Sequence, residues 1–172
     1  MDRPRTVVFF YRGTQMGDMN YRAVETESEY VARLETGADW RAEIESLANE
    51  VEADAAWFTA LGAVQDAELW FYDQDDCEYY PIEFDEPLEV ASCVGNVSWL
   101  NSEEQSSSSS RTQSDDDDRF AHTHAVLSDD AGTTYAGHLN EATVWAGEVY
   151  MRVFEEGLER EYDETTELDL WL

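Results

Sequence analysis

Lysine is missing from this chain altogether. All 10 basic residues are arginine, set against 40 acids, for a formal net charge of -30. An ordinary domain at low ionic strength gains nothing from such repulsion. It fits a cytoplasm of very high salt, where exposed charges are screened within roughly 3 Å at 1 M. The expectation is a halophilic protein, and any acidic run is read first as solvated surface. A basic face, the usual footprint of nucleic-acid binding, is also missing. High salt further weakens counterion-driven binding. Arg3, Arg5, Arg12 and Arg22 face only Asp2 and Asp18 before residue 23, which makes this stretch the one locally basic part and the one weak support for DNA as a partner, the plainer reading being that these arginines pair with acidic neighbours.

Other scarcities narrow the class. There are 2 cysteines, Cys77 and Cys93, both in apolar strand-like runs. They make no disulfide framework and are expected as free, partly buried thiols. No apolar run approaches the length that crosses a bilayer, and no secretory segment is visible. The expectation is a cytoplasmic chain with no membrane partner. Proline occurs 3 times. Pro81 lies inside a strand-like run and marks it as an edge strand.

What is present is strand. Residues 1–172 are expected to form a single domain, long enough for a hydrophobic core. Thr6 to Tyr11 is dense in β-branched and aromatic residues. Tyr30 to Leu34 alternates. A helix follows, with Asp39 as N-cap and Trp40, Ile44, Leu47, Ala48 and Val51 on one stripe. Ala55 to Val64 reads as a central strand, with Gly62 as a bulge or a close backbone approach. Ala67 to Tyr72 and Glu78 to Phe84 read as a hairpin. Leu88 to Leu100 is strand, expected to break at Gly95-Asn96. Asn101 to Asp118 is serine and acid, expected as a disordered insertion that buries too little apolar area to order. Asn140 to Ala142 reads as a turn before a strand from Thr143 to Phe154, in which Trp145 shares a face with Val149, Met151 and Val153. Leu168 to Leu172 reads as a last short strand. One helix cannot supply the crossovers of a parallel sheet. The expected fold class is α+β: a bent antiparallel or mixed β-sheet with one main helix packed on it.

All three histidines fall in one stretch, Arg119 to Leu139. His122 and His124 are two apart on a strand and share a face. A three-residue loop, Asp130-Ala131-Gly132 with Gly132 left-handed, would put His124 opposite His138. A four-residue loop would slip the register by one and turn His138 away. The sequence leaves both open. If three imidazoles converge they suit zinc with an open fourth position, and also iron, nickel or copper. The plainer reading is three surface or partly buried histidines. Affinity for an ion should fall as pH drops through the ordinary histidine value of about 6.5.

These residues carry a family resemblance. L-G-A-V-Q-D-A-E-L-W-F-Y-D (Leu61 to Asp73), E-P-L-E-V-A-S-C-V-G-N-V-S (Glu86 to Ser98) and H-T-H-A-V-L-S-D-D-A-G-T-T-Y-A-G-H-L with Glu141 stand in an order and spacing that resembles the PPC (plants and prokaryotes conserved) domain. The likeness is to a solitary archaeal-type member. It implies a bent antiparallel sheet with helical packing, similar to a domain of acetolactate decarboxylase, and assembly into a homotrimer. It matches His122, His124 and His138 to the family's histidine pair and later histidine, and so implies a divalent-metal site, zinc being first choice. Plant relatives join this domain to AT-hook segments and serve in nuclear assembly and transcription. Arg3-Pro4-Arg5 is too short for such a hook, and with the net charge this argues against direct DNA binding.

Two functions follow. The first is a homotrimeric binding protein with a DNA-associated or regulatory role and a three-histidine metal site. The alternative is a metal-dependent enzyme acting on a small carbonyl or carboxylate compound, with Glu141 as acid/base and Arg119 or Arg152 as partners of a carboxylate. The small-molecule ligand itself is not specified by the sequence.

Overall fold

The structure is a computed structural model that describes residues 20–99 and 119–171. Its elements are β1 (Thr26–Leu34), α1 (Trp40–Glu50), β2 (Ala55–Asp73), β3 (Glu78–Phe84), β4 (Leu88–Trp99), β5 (Arg119–Ser128), β6 (Thr134–Phe154), β7 (Arg160–Asp163) and β8 (Leu168–Trp171). The α+β expectation is corrected. The architecture is mostly β, with a helix of 11 residues against strands of 19 and 21 in β2 and β6. Among the described residues every strand pairing is antiparallel, so no mixed sheet is seen there. The Thr6–Tyr11 strand and the Asn101–Asp118 insertion lie outside the described residues.

The strands are long because segments that read as breaks are bulges. A bulge adds one residue and changes face while pairing continues. Ala63 pairs Ala146 while Val64 pairs Val144, which leaves Trp145 as the extra residue. It swings outward to 62% exposure instead of joining Val149 and Met151 inside. Glu68 pairs Glu141 and Leu69 pairs Leu139, so Asn140 is a second extra residue, not part of a turn. Gly62 sits at a register shift between β2 and β4, and a Cβ there would lie 2.0 Å from the Ala146 carbonyl oxygen. Gly95 does not break β4. It is glycine because a Cβ would meet the His122 carbonyl oxygen at 2.2 Å and the Phe58 ring at 2.5 Å.

The strand order is β1-β6-β5-β4-β2-β3, and a further pairing of β6 with β2 closes it on itself. Trp40, Ile44, Phe58, Leu69, Leu127, Leu139 and Met151 fill the interior. Pro81 stands on β3 at the sheet edge, opposite Trp70. Cys77 and Cys93 are free thiols, the second buried. Among the described residues no helix is long and apolar enough to cross a membrane.

The helix covers the opening where β5 and β6 diverge. Their pairing ends at His124 and His138. Beyond it, the Ala121 N–H donates to Glu45 Oε1 on the helix at 3.0 Å. Asp39 caps the helix, accepting from the Ala42 N–H through Oδ1 at 2.8 Å. Its Oδ2 accepts from the Ala142 N–H at 3.1 Å and ties the cap to β6. Asp39→Ala should therefore cost more than a lone cap, about 2 kcal/mol by urea denaturation. Asp39→Asn keeps the cap and should recover about half of that loss.

Candidate metal centre

The hairpin decides the site. Gly132 has φ of +81, the Gly132 N–H donates to the Asp129 carbonyl at 3.1 Å, and Asp129 Oδ1 accepts from the Ala131 and Thr133 N–H groups. The loop is the three-residue one, and His124 pairs with His138. A row of paired residues then runs round the outside of the sheet: Val31, Tyr150, Thr59, Val94, His124, His138, Trp70. His122 lies one step along, opposite Asn96.

The three rings meet. Centroids are 5.1 Å apart for His122 and His124, 5.2 Å for His122 and His138, and 5.5 Å for His124 and His138. One nitrogen from each lies within 4.8 Å of the others. The Nε2 atoms of His122 and His124 are 3.2 Å apart. Two nitrogens bound at 2.0–2.1 Å to one tetrahedral zinc ion stand about 3.4 Å apart, so this spacing needs almost no adjustment. His138 Nδ1 is buried with no hydrogen-bond partner among the described residues. The donor set fits a divalent ion.

Protonation supports the same reading. Burial first, then the Arg160 charge, pushes His122 down to about 4. Burial, the other two histidines, Arg41 and Arg160 push His138 down to about 3. Burial also lowers His124, though it remains open to solvent. The imidazoles are neutral at pH 7, with lone pairs available to a metal. The acid limit for ligation therefore falls below the ordinary 6.5.

The other residues singled out in the sequence stand elsewhere. Arg119 closes the end of the helix. Its Nε donates to the Ala53 carbonyl, its Nη1 to Asn49 Oδ1 at 2.9 Å, and its guanidinium lies 4.2 Å from the Trp99 ring. Arg152 pairs with Glu29 at 3.0 Å on the outer face of β1 and β6. Glu141 is paired opposite Glu68 and lines an acidic cleft with Asp66, Glu83 and Asp85. Arg22 donates to the Gly157 carbonyl at 3.4 Å. Arg3, Arg5 and Arg12 lie outside the described residues.

The histidines' actual surroundings were not foreseen. Trp70 stacks on His138 with centroids 6.1 Å apart, and Tyr79 approaches it at 5.6 Å. Glu68 Oε1 accepts from Trp70 Nε1 at 2.6 Å and from Asn140 Nδ2 at 2.7 Å. Arg41 and Arg160 set their guanidinium carbons 5.7 and 5.4 Å from the Phe120 ring. The only linear signal for any of these is Phe120, two residues before His122 on the same face.

A family model described as the Plants and Prokaryotes Conserved (PCC) domain matches residues 21–155. A metal-containing protein of Archaeoglobus fulgidus is 36% identical, with TM-score 0.76, over 90% of this chain and 99% of that one. A plant- and prokaryote-conserved protein of Pyrococcus horikoshii is 22% identical, with TM-score 0.75, over 90% and 97%. A Bacteroides thetaiotaomicron protein provisionally assigned to DNA binding is 18% identical, with TM-score 0.70, over 86% and 96%. The last two likenesses speak for the fold alone. A search of the curated proteins finds no match.

Proposed function

This chain belongs to the Plants and Prokaryotes Conserved domain family, and from that premise we propose a homotrimeric binding protein that holds one divalent metal ion per chain on His122, His124 and His138. The observation that carries it is the meeting of three neutral imidazoles with ligand atoms within 4.8 Å. The Archaeoglobus relative, named as a metal-containing protein, supports the same reading. Zinc suits the set best: three nitrogen donors and a side reached by solvent at His124. Metal analysis after purification in molar salt tests it. About one ion per chain is expected, and His124→Ala should lose most of it. Wild type holding no more ion than the triple alanine variant at neutral pH would end this reading.

Self-association is supported by what the outer face leaves exposed. Val31 is 81% exposed, Trp57 45% and Leu61 57%. Val94 is 36% exposed and pairs with Thr59 on one side and His124 on the other, so this face runs up to the histidines. Sedimentation in molar salt should give three times 19.7 kDa.

The biological setting we propose is regulatory and DNA-associated, as membership of this family suggests. A net charge of -30 weakens direct contact with the duplex. The second reading is a metal-dependent enzyme for a small carbonyl or carboxylate compound. Solvent access at His124 favours it, since an ion there keeps an open side. A bound ion would polarise a carbonyl or activate water. The histidines hold it, and Trp70 and Tyr79 shield the His138 side from water.

A further inference from the structure

The last two strands are tied down at both ends. β7 and β8 pair as a small separate sheet. In the turn between them Asp163 Oδ1 accepts from the Thr165 and Thr166 N–H groups at 3.1 and 2.8 Å. The Glu167 N–H donates to the Asp163 carbonyl at 2.8 Å. These bonds hold the hairpin's own shape. Its base is fastened to β4. Arg160, 4% exposed, donates through Nη2 to Asn96 Oδ1. Trp171 Nε1 donates to Oγ of the buried Ser98 at 2.9 Å. The tip is fastened to β2, where the Tyr72 hydroxyl donates to the Thr166 carbonyl at 2.6 Å.

The two fastenings stand on either side of the histidines. Val94, His124, His138 and Trp70 are successive neighbours across β4, β5, β6 and β2. Asn96 lies past this row on one side, paired with His122. Glu68 lies on that same side, opposite Glu141, so Tyr72 lies on the other. Residues two apart on a strand share a face, which puts Asn96 with Val94 and Tyr72 with Trp70. Both therefore stand on the face that carries the imidazoles. The Tyr79 ring meets Tyr72 at 4.9 Å and His138 at 5.6 Å, which confirms the side. A hairpin tied to Asn96 at its base and to Tyr72 at its tip crosses the row between them. His138 is 7% exposed and His122 half-buried, while His124 stays open.

We propose that the β7–β8 hairpin is a lid over the three histidines, with its base on Asn96 and Ser98 as hinge and its tip on Tyr72 as latch. Opening of the tip governs how fast an ion enters and leaves. The purpose of the lid rests on the metal reading above; its existence does not. The two ends are unequally held. The base has a buried arginine and a bond to a buried serine, and the chain joins it to β6 through residues 155–159. Around the tip Glu164, Thr165 and Glu167 are exposed. Among the described residues the Tyr72 hydroxyl is what bonds the tip to the sheet. One neutral hydrogen bond shifts an open–closed equilibrium about fivefold. That keeps the lid mostly shut and still lets it release. Because the turn is braced within itself, the hairpin swings as one piece from its base.

The test removes the latch alone. Tyr72→Phe keeps the ring against Tyr79 and takes away the hydroxyl. Metal-free, full-length protein at pH 7 in molar salt is treated with diethyl pyrocarbonate, and each histidine is read by mass spectrometry. His122 and His138 should react slowly in the wild type and about fivefold faster in Tyr72→Phe, with His124 unchanged. Zinc-loaded Tyr72→Phe should keep the wild-type zinc content and lose it to excess EDTA about fivefold faster. Trp171→Phe, which loosens the base, should change both rates less. Gly37→Ala, a destabilising change outside the hairpin, should change neither. Equal rates in wild type and Tyr72→Phe would overturn the lid, as would a larger effect from Trp171→Phe or Gly37→Ala. A wild type that holds no zinc would overturn the metal reading, and the pyrocarbonate rates would still decide the lid.

Discussion

Metal-free protein, kept in chelator and fixed salt, should lose stability steadily as the pH falls from 6.5 towards 4. The cause is the two most shielded histidines. In the unfolded chain each protonates near 6.5. In the fold His122 stays neutral to about 4 and His138 to about 3. Across that window the unfolded state binds more protons, so stability falls as acid is added. Above 6.5 both states are neutral and the curve should be flat. The slope approaches about 1.4 kcal/mol per pH unit for each of the two. Urea midpoints between pH 8 and 4.5 measure it. The variant with all three histidines changed to asparagine should be nearly flat above pH 5. The same slope in that variant would show that acid acts elsewhere. Adding zinc should raise the neutral-pH plateau, because the ion binds the folded state.

Gly62→Ala should be the most damaging single methyl in the chain, costing about 3 kcal/mol or more. Its Cβ would fall 2.0 Å from the Ala146 carbonyl oxygen and 2.9 Å from the Gly147 Cα, both main chain on β6. Backbone cannot swing aside as a side-chain tip can, so β2 and β6 would have to part where they close the sheet. Gly37→Ala is the control. Gly37 also has positive φ, +87, but a Cβ there meets nothing within 4 Å. It should cost about 1 kcal/mol, the conformational part alone. Equal losses at the two glycines, read from denaturation midpoints, would refute the contact argument.

Local chemistry made much of the site legible. Gly132 in a D-D-A-G-T loop is a turn instruction, and the register it sets brings His138 to His124. Asp39 before Trp40 reads as a cap and is one. Pro81 correctly placed its strand at an edge. What failed was continuity. At Asn140 and Trp145 an extra residue breaks the alternation without breaking the pairing, so two-residue periodicity reports a turn or the wrong face. That error multiplied short strands and made one helix look weightier, hence the α+β expectation. Arg160 failed for another reason. It stands alone in E-E-G-L-E-R-E-Y-D, and its partner Asn96 is 64 positions away. Nothing local marks such a contact.

The closure of β6 on β2 governs how this molecule must be made. Ala56 on one strand meets Val153 on the other. During synthesis the first is out of the ribosome roughly 5–20 s before the second, at 5–20 residues per second. Until then β2, the apolar axis of the protein, has one flank of N–H and C=O groups with no chain to receive them. The nascent polypeptide therefore waits with its most adhesive segment half paired.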